Sequence, residues 1–356
     1  IEVVGATHPR PGPESVEAGK RIVELAKEAG ESALVIALFS GGGSALMEYP
    51  VEGVKIEEIS EVSIALMNAG CDIFELNTVR KHLSRVKGGW LAKHAYPARV
   101  MCLMISDVVG DRMDTIASGP TVPDPTTFEG AYRVLKKYGI WEKAPSSVRE
   151  YIERGLKGEA PETPKPGDPV FERVHNLIVA SNILSLSAMK RKAKELGYNA
   201  LVLTSLLEGE AREVAKVVAA IAKEIRRTGN PLPPPAVVLM GGETTVTVRG
   251  KGKGGRNQEL ALAAAIEIEG ERGVAIAAVG SDGRDGPTDA AGAIVDGNTA
   301  KRAREAGVDP VAYLEDNNSY EFFRKVGGHI ILGYTGTNVN DFVVIVVEKE
   351  ARGEAA

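Results

Sequence analysis

Apolar positions along the chain follow two rhythms. In "ALVIALF" (33–39), "RVMCLMIS" (99–106), "HNLIVAS" (175–181), "ALVLTS" (200–205), "AVVLMGGE" (236–243), "GVAIAAVGSDG" (273–283) and "DFVVIVVE" (341–348) they run on almost without interruption. Between those runs they recur every three to four positions, as at Val16, Ile22, Val23, Leu25 and Ala26. The first rhythm predicts strands buried on both sides, the second amphipathic helices. Helices are expected over 14–29, 57–70, 183–197, 209–228, 255–269 and 297–306. Strands separated by helices predict an α/β fold whose parallel sheet is covered on both faces.

Breaks in the pattern divide the chain. "TGNPLPPPA" (228–236) carries four prolines, which cannot continue a helix and form a semi-rigid spacer. The expected organisation is a larger domain over 1–230 and a smaller α/β domain over 231–356, with closure about Pro231–Pro235. A second proline-rich stretch, 157–169, reads as a loop within the first domain.

Four strands end in loops of small polar residues: "LFSGGGS", "MISDVVGD", "LMGGETT" and "AVGSDGRDG". In open parallel sheets ligands sit off such carboxyl ends, so a cleft between two domains is expected. Ser40, Gly41, Gly42, Gly43 and Ser44 leave backbone amides bare where an anion could touch them, although a plain strand–helix turn has the same composition. "NTVRKHLSRVKGG" (77–89) concentrates Arg80, Lys81, Arg85 and Lys87. Arg80 and Ser84, four apart, are expected on one helix face, and a guanidinium fits a carboxylate or phosphate, though a charge run is commonly a solvated face. Asp107 follows a strand directly, with Asp111 and Asp114 behind it, positions suited to Mg²⁺ or to a hydroxyl proton. Glu243 sits at another strand end. "GKGKGGRNQE" reads as a flexible basic loop entering a helix at Gly255, Arg256 and Asn257, suited to a polyphosphate or else a mobile hairpin tip. Asp282, Asp285 and Asp289 cluster among glycines without matching a calcium loop.

Composition narrows the classes. The 356 residues are 44% hydrophobic and 26% charged, as in a globular protein, and the net charge of -5 offers no basic face to nucleic acid. No apolar run approaches the roughly 18 residues of a membrane span. Cys71 and Cys102 lack metal-type spacing, the five histidines are scattered, and no secretory leader is visible, so a reduced cytoplasmic protein is expected. There is no P-loop pattern. Anion loops, cations and aspartates together favour phosphoryl transfer.

In order, "SGGGSAL", "VRKHLSRVKGG", "SDVVGD…IASGPT", "GGRNQELAL" and "GSDGRDGPTDAAGA" resemble the type II glycerate kinases, whose C-terminal part is the MOFRL domain. The likeness covers nearly the whole chain. It implies a Rossmann-like three-layer larger domain, a smaller MOFRL domain, and an ATP- and Mg²⁺-dependent kinase converting D-glycerate to 2-phosphoglycerate. Carried over position by position, it implies Asp107 and Arg80 as catalytic, and Ser40, Gly41, Gly42, Gly43, Ser44 and Lys87 at the substrate. Gly241, Gly242, Glu243, Gly255, Arg256 and Asn257 would face the nucleotide, and Asp282, Asp285 and Asp289 the metal. The same resemblance implies an earlier segment with a catalytic Lys in a "GKAA"-like motif. That motif does not occur here, so the chain is expected to lack it. A hydroxypyruvate reductase, or a truncated non-catalytic ligand-binding form, stand as alternatives. Monomer and homodimer remain open. Lys- and Glu-rich helices with proline-rich loops point to a heat-stable protein.

Overall fold

The structure, a computed structural model, describes residues 1–349; residues 350–356 at the end of the expected second domain lie outside it. The chain forms two compact units, Ile1–Val179 and Ala180–Ala356. The first runs α1 (Pro13–Glu28), β1 (Leu34–Phe39), α2 (Gly43–Leu46), α3 (Ile56–Asn68), α4 (Ile73–His82), α5 (Trp90–Ala95), β2 (Arg99–Ile105), α6 (Phe128–Lys137), α7 (Ser146–Leu156) and β3 (Val174–Ala180), which reaches the boundary. The second runs α8 (Asn182–Glu195), β4 (Asn199–Leu207), α9 (Ala211–Thr228), β5 (Ala236–Gly242), α10 (Arg256–Glu267), β6 (Val274–Gly280), β7 (Gly292–Asp296), α11 (Thr299–Glu305), α12 (Pro310–Glu315), α13 (Ser319–Val326), β8 (His329–Ile330) and β9 (Asp341–Val347).

The expected boundary at 230/231 is therefore corrected. The Pro231–Pro235 stretch lies inside the second unit, joining α9 to β5, and β5 pairs in parallel with β4 in one sheet. Strands paired along their length cannot hinge apart at that connection, so closure about these prolines is withdrawn.

In the first unit the sheet order is β1-β2-β3, with β1 parallel to β2. Its core is mostly helical: Ile59, Leu66, Leu83, Leu135 and Ile152 are buried among α3, α4, α6 and α7. Burial of each such side chain contributes about 1.5–3 kcal/mol. On β1, Leu34, Ile36 and Leu38 are 59%, 61% and 71% exposed.

The second unit holds a six-stranded sheet, β4-β5-β9-β6-β7-β8. Only β4 and β5 are parallel; β9 runs antiparallel between β5 and β6, so this sheet is mixed and not parallel throughout. β5 is buried at every position and β9 at all but two, as their unbroken apolar runs require. α9 turns Ala211, Ala215, Val218, Ala219, Ala222 and Ile225 inward, and these small residues admit α10, whose residues Asn257–Ala265 are all buried.

Gly19 makes the packing of α1 testable. A Cβ there would collide with the Glu48 backbone carbonyl. Alanine in a helix interior ordinarily gains about 0.5–1 kcal/mol over glycine. Gly19→Ala is expected to lower the urea midpoint instead; a raised midpoint would show that α1 and the 48–49 segment separate freely.

Candidate active site

In the first unit the site starts from two loops at the carboxyl ends of β1 and β2. Phe39 pairs with Met104, so Ser40–Ser44 and Asp107 leave the same sheet edge side by side. Each of the three glycines there has its own cause. A Cβ on Gly41 would stand 2.6 Å from Asp107 Oδ2. Gly42, at φ 86°, is the left-handed residue before α2. A Cβ on Gly43 would stand 2.8 Å from Ala117 Cβ. The loop is bare because a carboxylate and a second turn press against it. Ser40 is exposed, while Ser44 and Asp107 are half-buried. Ser44 donates to Ser118 Oγ (2.8 Å), which donates to Asn77 Oδ1 (3.0 Å).

The basic stretch is not a solvated face. Lys81 and Lys87 are among the most deeply buried side chains. Lys87 Nζ lies 2.5 Å from Glu48 Oε2 and donates to the Met47 carbonyl at 2.9 Å. Burial pulls its pKa down and Glu48 opposes that. Lys87 is thus consumed inside the protein, which corrects its expected substrate contact. Lys81 Nζ sits 3.4 Å from both Asp114 and Asp124. Arg80 is half-buried, its Nε donating to Ser63 Oγ at 3.1 Å; burial lowers its pKa, against the pull of Glu48. The helix stops at His82, so Ser84 does not share its face; Ser84 Oγ instead donates to Glu48 Oε1.

The second unit gathers a different set. Arg256 donates to Glu243 Oε1 (2.5 Å) and to both oxygens of Asp341 (2.5 and 3.2 Å), and Asn340 Nδ2 donates to Glu243 Oε2 at 3.1 Å. Burial alone would lower the Arg256 pKa; the two carboxylates outweigh it and hold the guanidinium charged. Asp285 caps α10: its oxygens accept from the Asn257 amide (3.0 Å) and the Gln258 amide (2.8 Å). Burial pushes this carboxyl up, against the pull of those amides.

Several expectations change here. The amino end of α10 is satisfied by Asp285, so it is not an open phosphate cradle. Nor is the 250–255 loop a mobile tip. Cβ atoms on Gly250, Gly252 and Gly254 would collide with Asp316, Asn318 and Ser319, so the glycines let the loop pack there. Gly255 likewise admits Asp285. Gly241 and Gly242 are buried in β5, against Asn182 and Leu207. Asp282, Asp285 and Asp289 do not converge. Asp282 Oδ1 accepts from the Arg284 amide, Asp289 Oδ1 accepts from the Tyr320 hydroxyl, and no group of three or more His, Cys, Asp or Glu among the described residues could hold a metal.

Sequence reasoning gave no role to Glu48, Asn77 or Asp341, and read Ser118 only as part of the "IASGPT" stretch. Asp341 was findable in principle. Because β9 is antiparallel, its first residue lies beside Gly242 and Gly280, at the same edge as the loops that were read. Asn77 sits inside an ordinary helix and carried no signal.

Comparison with known proteins decides the family. Residues 1–153 match the domain of unknown function DUF4147, and 236–341 match the MOFRL family. The chain is 50% identical to a glycerate 2-kinase of Pyrococcus horikoshii, over 98% of this chain and 78% of that protein. It is 47% identical to a D-glycerate 2-kinase of Thermotoga maritima, over 97% of this chain and 79% of that one.

The chain belongs to the glycerate kinase family.

The crystal structure of a glycerate kinase from Thermotoga maritima superposes with a TM-score of 0.89 at 46% identity, covering 96% of this chain and 80% of that one. Glycerate kinase relatives thus share the fold, and the enzyme class is that of kinases. A protein of Agrobacterium vitis called a putative hydroxypyruvate reductase is 42% identical over 98% of this chain and 77% of its own length.

The buried Lys87–Glu48 pair yields a stability prediction. Lys87→Met strands a buried carboxylate and is expected to cost about 3–5 kcal/mol in denaturant unfolding. Adding Glu48→Leu should recover much of that loss. Equal loss in single and double variants would show that the pair's shape, not its charge, is what matters.

Proposed function

We propose that the chain transfers a phosphoryl group from ATP to the 2-hydroxyl of D-glycerate, giving 2-phosphoglycerate, in the cytoplasm. The observation that carries this is the Asp107 carboxylate set against the Gly41 backbone at the shared end of β1 and β2. In this reading Asp107 accepts or orients the hydroxyl proton. The loop from Ser40 to Ser44 supplies the Ser40 hydroxyl and backbone amides for the substrate's carboxylate. Arg80, steered by Ser63, is the cation for the same anion.

Nucleotide contact in the second unit rests on Glu243 and Arg256, since Asn257 is buried against Asp285. Arg256 is a fork already fixed by Asp341, which limits the entropy lost when phosphate meets it. Mg²⁺ is proposed to arrive with the phosphates. Such an ion keeps several waters and needs only one or two carboxylates, whereas the three aspartates expected to hold it do not fit as a set. No step is assigned to it. The name borne by the Agrobacterium relatives implies nicotinamide chemistry; the one GxGxxG spelling of this chain, Gly250–Gly255, packs on Asp316, Asn318 and Asp285 and leads into a helix whose first amides Asp285 already takes.

The test is a coupled assay for 2-phosphoglycerate from D-glycerate, ATP and Mg²⁺. Product is expected from wild type. Asp107→Asn is expected to lose roughly 10²–10⁴-fold in turnover at unchanged melting temperature. Near-normal turnover in that variant removes Asp107 from proton handling. No phosphoglycerate, together with hydroxypyruvate-dependent NADH oxidation, would replace the kinase reading by the reductase one.

A further inference from the structure

Residues 117–119 form a turn in which three successive residues are left-handed: Ala117 at φ 50°, Ser118 at φ 61° and Gly119 at φ 61°. Glycine accepts this conformation freely, but alanine and serine do not. Strain of this kind persists only where the surroundings over-determine it, and it collects at working sites. The surroundings here are specific. The Gly88 amide donates to the Ser118 carbonyl (2.9 Å) and the Gly89 amide to the Gly119 carbonyl (2.8 Å). The Ala117 methyl abuts Gly43, and the Ser118 hydroxyl joins Ser44 to Asn77. Ser118 and Asn77 are 0% and 1% exposed, and the Asn77 amide nitrogen has no hydrogen-bond partner. A buried amide that satisfies only its oxygen is a poor stabiliser. Its use lies in what the oxygen holds.

We propose that Asn77 and Ser118 are positioning residues: a relay Asn77–Ser118–Ser44, clamped by the strained turn, sets the glycine loop at its distance from Asp107. Within the kinase reading, on which its catalytic consequence rests, the relay fixes where the substrate's carboxylate is held relative to the acidic residue. The direction of the hydrogen bonds supports this order. Asn77 Oδ1 can only accept, so Ser118 spends its one proton there, and Ser44 must donate to Ser118. Ser44 therefore presents lone pairs, and no proton, to anything else near it. Substrate recognition by Ser44 would be acceptance from a donor such as a hydroxyl, with the loop amides left to meet the carboxylate.

Strain and relay can be separated by two glycine variants. Ala117→Gly relaxes one left-handed residue and keeps every hydroxyl. Ser118→Gly relaxes its neighbour and deletes the hydroxyl. Ala117→Gly is expected to melt at or above wild type and to keep turnover within about twofold. Ser118→Gly and Asn77→Ala are each expected to lose at least about tenfold in kcat, with the KM for ATP unchanged, since misplacement costs rate even where binding of the other substrate survives. Asn77→Ala placed on Ser118→Gly should lose little more, as members of one network are not additive. Hydrogen exchange read by mass spectrometry should show the Ala45–Met47 amides opening faster in Ser118→Gly and in Asn77→Ala, but not in Ala117→Gly. Turnover in Ser118→Gly equal to that in Ala117→Gly overturns the relay, as does multiplicative loss in the double variant. If wild type does not phosphorylate glycerate, the kinase reading falls, and the exchange pattern alone upholds or overturns the relay.

Discussion

The carboxylate of Glu48 is the constraint on which the first unit is built. It is 1% exposed, and it follows α2 directly. One oxygen accepts from the Ser84 hydroxyl and the Tyr49 amide, and the other takes Lys87. Its own amide donates to the Ser15 carbonyl, and its carbonyl presses on Gly19. One residue thus ties the exit of the glycine loop to α1 through its backbone and to the segment that follows α4 through its side chain. Isolated burial of a carboxylate is very costly, and a partner removed leaves that cost standing. The arrangement is acceptable because each oxygen meets a donor. A pair of this kind adds little net stability over an apolar replacement, so its value lies in specifying one geometry where apolar packing would allow several.

The same economy recurs in the second unit. Arg256 is met by Glu243 and Asp341, Asp285 by the first amides of α10, and Glu259 by Arg212 and Asn317. Charges that a reading of the chain offers to ligands are engaged with one another. A preorganised site has this form: groups that meet a reacting anion are already oriented, and little reorganisation remains for the moment of reaction.

Element positions were largely legible, because continuous apolar runs and three-to-four-residue stripes are direct consequences of burial. The expected helix 209–228 is Ala211–Thr228, and the expected strand 341–348 is Asp341–Val347. Strand direction was not legible. An apolar run looks the same whether its neighbour is parallel or antiparallel, and β9 was therefore placed in a parallel sheet. The prolines at 231–235 were misread for a related reason: a stiff connection between adjacent strands has the composition of an interdomain spacer. Of the candidate site, the loop at Ser40–Ser44 and Asp107 stood out in the sequence because strand ends in α/β folds gather function. Lys87 was misplaced because a charge run carries no mark of the carboxylate that will bury it.

Glycine is where sequence and structure diverge most usefully. Forty glycines read naturally as bare backbone awaiting phosphates. At Gly241, Gly252, Gly254 and Gly255 the space a Cβ would need is taken by the protein's own Asn182, Asn318, Ser319 and Asp285, so the cause is internal packing. Gly41 differs in kind. Its intruder is the carboxylate of Asp107, a half-buried acid at the open edge of a sheet. A carboxylate against backbone is costly to place unless donors converge on it, and a chain that only needed a turn could have closed it with any small side chain. The bare backbone at Gly41 therefore ties the loop to the acid. Ser44 then ties the loop to the strained turn through its hydrogen bond to Ser118, and the site is defined by these two approaches more than by any one charged residue.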